Sequence, residues 1–96
     1  MFNKDPIEQA REKSFSKDDI AMALRNDIIA ELDAINYYLQ QARLETDKKV
    51  KKIHLDIANE EKIHLGEFLT LLLKYDPDQK EMIEHGKKEV SELLHD

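Results

Sequence analysis

Cysteine and tryptophan are absent from the chain, and glycine and proline occur only twice each. Without cysteine there is no disulfide, no thiolate metal site and no thiol nucleophile. Any bound metal must be held by carboxylate, imidazole, carbonyl or water. The scarcity of glycine and proline leaves long stretches with nothing to interrupt a helix. No apolar run approaches the length of a membrane span, and the opening residues MFNKDPIEQAREKS lack the apolar core of a secretory leader. The expectation is a cytoplasmic location and no membrane partner.

What is present is charge interleaved with aliphatic side chains. The chain has 96 residues, 38% of them charged, with a net charge of -6. Apolar residues recur throughout, so a folded helical domain is expected instead of disorder. The acid excess argues against a nucleic-acid partner and suits small cations.

Local signals divide residues 1–96, read as one all-α domain, into an arm and three helices. Residues 1–15 are polar, interrupted by Pro6, and read as an N-terminal arm. Ser16 is a cap followed by acids, which starts a helix expected over 17–46. Thr46 and Asp47 mark a break and a new cap, giving a second helix over 47–75. Asp76-Pro77 caps and opens a third, shorter helix over 77–95, carrying Met82, Ile83, Val90, Leu93 and Leu94. Two long antiparallel helices in so short a chain bury little surface alone and leave one apolar face uncovered. Self-association follows before any function is considered.

Three polar residues interrupt the apolar stripes. On the first helix the face marked by Ile20, Leu24, Ile28, Ile35 and Ala42 passes through Glu31. On the second, the stripe of Val50, Ile57, Phe68 and Leu71 passes through His54, Glu61 and His64, with Leu65, Leu69 and Leu72 in a row beside it. An inward carboxylate without a partner is costly, and these stripes offer no Arg or Lys. A cation satisfies them. Glu61 and His64, three residues apart, share a helix face and can direct an oxygen and a nitrogen at one ion. Glu60 is the rival for Glu61, but the i, i+3 pairing is that of di-metal carboxylate helices. Those bundles take a Glu from each of two helices and a Glu-x-x-His from each of the other two. One chain therefore supplies half a site, and a twofold axis supplies the rest. Carboxylate and imidazole donors suit iron or manganese, with zinc also compatible.

The segments AELDAINYY (30–38) and NEEKIHLGEF (59–68) resemble the encapsulated ferritins, a branch of the ferritin-like proteins. The resemblance covers roughly residues 18–77. It implies that two antiparallel helices pair with a second copy into a ferritin-like four-helix bundle. It also implies a di-iron ferroxidase centre shared across a homodimer, a decamer of five dimers, and an encapsulin shell protein as partner, placing the chain inside a nanocompartment. Carried over, the metal and catalytic residues are Glu31, Glu61 and His64, and the Tyr37-Tyr38 pair matches the family's aromatic pair. Asp33 matches an acid of an outer metal site, whose second acid is replaced by Ala30 here. No encapsulin-targeting peptide is recognisable in LLHD, so the expectation is a truncated domain, a domain fused to its shell, or another way of loading.

Other residues carry weaker expectations. His54 is either on a metal-entry path or a packed histidine at the end of the bundle. Tyr38 faces the core, hydrogen-bonding a ligand or simply packing. Gly66 offers a close helix contact. His85, His95, the lysines at 48, 49, 51 and 52, and Asp18, Asp19 and Asp27 read as solvated positions. The alternatives to a ferroxidase are a rubrerythrin-like peroxide reductase and a non-enzymatic helical dimerisation module with buried polar residues that fix pairing.

Overall fold

A computed structural model describes residues 16–95, so the arm expected over 1–15 lies outside the described residues. The described chain is all-α, with helices α1 (Lys17–Leu44), α2 (Lys48–Tyr75) and α3 (Pro77–Leu94). A capping box starts α1. Ser16 Oγ accepts the Asp19 N–H at 3.1 Å, and Asp19 Oδ2 accepts the Ser16 N–H at 3.0 Å.

The first helix stops at Leu44, short of the expected residue 46. The cause is Glu45, whose Oε1 accepts the N–H groups of both Thr46 and Asp47 at 3.0 Å. Those bonds hold the backbone in a turn. Asp47 is then outside the second helix as its cap, with Oδ1 accepting from Lys49 and Val50 at 2.9 and 3.2 Å. The third helix ends at Leu94, one residue before the expected boundary, because His95 adopts a left-handed conformation with φ 58°.

Helices α1 and α2 pack antiparallel along most of their length. The buried seam consists of Ala21, Leu24, Ile35 and Ala42 from α1 and Ala58 and Leu72 from α2. Ile20, Ile28 and Phe68 pack against the Ala21–Leu24–Leu72 cluster. On α2 the seam therefore follows the row at 58, 65 and 72, not the stripe expected to face inward. Val50 and Leu71 of that stripe are exposed, and Ile57 is half-buried. Alanines at 21, 42 and 58 leave no room for a longer side chain. Ala58 is completely buried. Ala58→Leu should therefore cost about 1–3 kcal/mol by overpacking. Chemical denaturation of the metal-free protein checks this.

The apolar residues of α3 do not join the core. None of its residues is buried, and Met82, Val90, Leu93 and Leu94 are exposed. The helix packs only on α2 and projects from the hairpin, so the molecule measures 47 × 46 × 24 Å. Its tie to α1 is polar. The Arg25 guanidinium pairs with Asp76 and donates through Nε to Gln79 Oε1 at 3.3 Å. Asp76 also caps α3, with Oδ1 accepting the Gln79 N–H at 3.1 Å. The close contact expected of Gly66 is not made, since nothing lies within 4 Å of where its Cβ would stand.

Candidate metal centre

Glu31 lies midway along α1, and Glu61 and His64 lie one turn apart on α2. Antiparallel pairing brings them to the same level. One donor atom from each lies within 4.8 Å of the other two. His64 Nδ1 is 3.8 Å from Glu31 Oε2 and 3.6 Å from Glu61 Oε2. The carboxylates are largely covered, at 16% and 21% exposure, while the His64 side chain is 47% exposed. Glu60 is exposed, so Glu61 is the acid that turns toward the cluster.

The arrangement is electrostatically incomplete. Glu31 Oε2 is shut from solvent and has no hydrogen-bond partner. The Glu31 carboxyl is held above the usual carboxylate range. The adjacent Glu61 carboxyl is the largest cause, because it would accept a hydrogen bond from the protonated form of Glu31, followed by burial and then the Glu61 charge. His64 pulls in the opposite direction, and Asp27 adds a further push upward. Two carboxylates and an imidazole nitrogen crowded in this way match the donor set of a divalent transition metal.

The sign of the resulting pH dependence is fixed. A folded carboxyl that holds its proton more tightly than the unfolded one favours folding below its unfolded pKa. That contribution disappears as pH rises through the raised folded value. Metal-free Glu31→Gln should therefore melt at a higher temperature than the metal-free wild type at pH 7. The gap should close as pH falls into the carboxylate range. Thermal melts at a series of pH values, with chelator present, check it.

Beyond the cluster, Tyr38 and His54 are both half-buried. Their rings stack with centroids 6.1 Å apart and planes at 28°, and Tyr37 meets Tyr38 edge-on at 5.3 Å. His54 Nδ1 is buried without a hydrogen-bond partner. With Val50, Ile53 and Ile57 this pair lines an open groove of about 340 Å³. Asp33, His85 and His95 are exposed, as are the lysines at 48, 49, 51 and 52. The sequence reading placed Asp27 in solvent, but it is half-buried and acts on Glu31. It overlooked Glu67, which lines a second cavity of about 340 Å³ with Glu31, His64, Phe68 and Leu71. The spacing of Asp27, four residues before Glu31, and Glu67, three after His64, was the available signal.

Residues 23–93 match the family model described as Rubrerythrin. The chain is 48% identical over 93 residues to the ferritin-like-encapsulin shell fusion protein of Pyrococcus furiosus. That match takes in 97% of this chain and 27% of the relative, so the chain spans about a quarter of the fusion protein's length. It is 28% identical over 100 residues to the encapsulin nanocompartment cargo protein EncC of Myxococcus xanthus, covering 100% of this chain and 77% of that one. The crystal structure of the encapsulated ferritin domain from Pyrococcus furiosus superimposes with a TM-score of 0.85 at 46% identity. That alignment covers 100% of this chain and 91% of the other.

Proposed function

Because this chain belongs to the rubrerythrin family, and within it to the encapsulated ferritins, we propose that it is a ferroxidase. Its substrate is ferrous iron and its oxidant dioxygen. The observation that carries the reading is the convergence of Glu31, Glu61 and His64 around an unsatisfied carboxylate oxygen. Two such half-sites, related by a twofold axis, hold a pair of ferrous ions per homodimer. Each of the two ferrous substrate ions gives up one electron, and one dioxygen accepts both with two protons from water, leaving as hydrogen peroxide. The protein's own work is to bind and orient. Glu31 and Glu61 supply negative charge that favours the ferric product over the ferrous substrate. His64 supplies a neutral nitrogen, and three side chains per ion leave positions open for oxygen.

The second copy also answers the packing problem. The flank that carries His64 exposes Val50, Ile53 and Leu71, which a monomer leaves in water. Five such dimers in a ring, with an encapsulin shell as the compartment, are the assembly that the family resemblance implies. Encapsulin is named in the descriptions of both relatives, as a fused shell in one and as the nanocompartment of a cargo protein in the other. No helix among the described residues is long and apolar enough to cross a membrane. The reading places the protein in the cytoplasm, inside that nanocompartment.

Anaerobic loading with ferrous iron tests this directly. Uptake of about one iron per subunit, followed by rapid oxidation when oxygen is admitted, is expected. No stoichiometric uptake, with the assembly unchanged by a strong chelator, would leave a helical pairing module. The match to the rubrerythrin model favours one second reading, reduction of peroxide. Oxidation that proceeds with peroxide but stalls with oxygen would select it. The chain has no cysteine for an accompanying rubredoxin-type iron site, so an external donor would be required.

A further inference from the structure

Two openings flank the centre along the hairpin, and they differ in charge. The antiparallel register that sets Glu31 beside Glu61 and His64 also sets Tyr38 beside His54, two turns toward the corner. The groove there has Lys49 among its lining residues and no carboxylate. Lys48, Lys51 and Lys52 are exposed around the same end of α2. A cation approaching from the corner meets like charge.

Toward the open end of the hairpin the charge reverses. The same register sets Asp27 of α1 level with Glu67 of α2, one turn beyond the centre. Asp27 is half-buried, and its charge reaches the Glu31 carboxyl. Glu67 is exposed and shares a cavity with Glu31, His64, Phe68 and Leu71. Its carboxylate therefore stands at the surface, and the largely covered Glu31 stands at depth. Neither Asp27 nor Glu67 is ion-paired among the described residues. Beyond this level Ala21, Leu24 and Leu72 close the seam, with Ile28 and Phe68 packed on them. No path along the seam remains, and the cavity that Glu67 borders is the way in from this end.

We infer that Asp27 and Glu67 guide ferrous iron to the centre, Glu67 receiving the ion at the cavity mouth and Asp27 drawing it inward to Glu31. The inference rests on the ferroxidase reading and adds a route to it. Neither residue is a ligand of the iron pair, and both act on the ion's approach. Carboxylates beside the apolar walls of Phe68 and Leu71 focus the field on a small cation. Their work is finished before oxidation begins. Capture of the ion should therefore depend on them, and turnover at saturating iron should not.

Anaerobic cobalt(II) is the probe, because its visible absorption reports entry into a carboxylate and imidazole site with no electron transfer. On the full chain, stopped-flow absorbance reads the association rate and titration reads the stoichiometry. Glu67→Gln and Asp27→Asn should each slow association about tenfold, the low end of electrostatic steering, with about one cobalt per subunit still bound. The rate should also lose part of its dependence on salt. Oxidation of ferrous iron by either variant should show a raised KM and an unchanged kcat. Glu81→Gln removes an exposed charge from α3 and should associate at the wild-type rate. Circular dichroism confirms that each variant folds. A wild-type association rate in Glu67→Gln or in Asp27→Asn would overturn the inference. So would equal slowing in Glu81→Gln, which assigns the effect to net charge, or a lost cobalt, which makes the residues ligands. A wild type that takes up neither cobalt nor iron would instead defeat the ferroxidase reading.

Discussion

Replacing Glu61 with Ala should abolish rapid oxygen-dependent iron oxidation, lowering the initial rate at least about 100-fold, the scale on which groups that act at the reacting centre are lost. Glu61 is one of the two carboxylates that crowd His64, and it is the group that most strongly raises the Glu31 carboxyl. Its removal has two consequences that can be measured separately. A ligand is lost, so ferrous uptake under anaerobic conditions should fall with the rate. A repulsive neighbour is also lost, so the metal-free variant should be no less stable than the wild type. Stopped-flow absorbance reads the first, and thermal melting in chelator reads the second. Full oxidation by the variant would remove Glu61 from the mechanism. A folded variant much less stable than the wild type would give Glu61 a structural role instead.

The second large effect is expected from a residue that holds no metal. Leu71 is exposed on the flank that carries His64 and lines the cavity beside Glu31 and Glu67. In the proposed dimer that flank is covered by the second copy. Leu71→Glu places a charge there, and burying an unpaired carboxylate costs several kcal/mol. The chain should become monomeric, as read by sedimentation. Iron oxidation should fall nearly as far as in Glu61→Ala, although Glu31, Glu61 and His64 are all intact. The monomer has its own test of folding, since Leu71 is outside the buried seam and helicity should be retained. A monomer with wild-type activity would show that one chain carries the whole site.

The sequence makes the helices and the three donors legible for different reasons. Caps are local chemistry. Ser16, Asp47 and Asp76 each accept N–H groups within three residues, so short-range pattern suffices to place the starts of the helices. The donors are legible because polar groups at apolar positions stand out, and because i, i+3 spacing fixes Glu61 relative to His64. What periodicity does not fix is rotation about the helix axis. Rows at 57, 64 and 71 and at 58, 65 and 72 differ by a single position, and both are apolar apart from His64. The structure buries the second row, with Ala58 fully covered and Leu72 nearly so. Arg25 was illegible because its partners lie 51 and 54 residues away. The reach of Asp27 to Glu31 depends on how far one helix is covered by the other, and no single-helix pattern reports that.

Only three residues, 45–47, separate the long helices, and Glu45 and Asp47 between them tie down four N–H groups at that corner. Nearly every helix–helix contact in the hairpin is thus closed by one tight reversal. Chains built on local contacts collapse to their final topology in microseconds to milliseconds. Newly made hairpins should therefore be waiting, already shaped, long before they meet. The tempo of maturation would then be set by encounter between copies, and in a dilute preparation the half-time for gaining competence should shorten in inverse proportion to protein concentration.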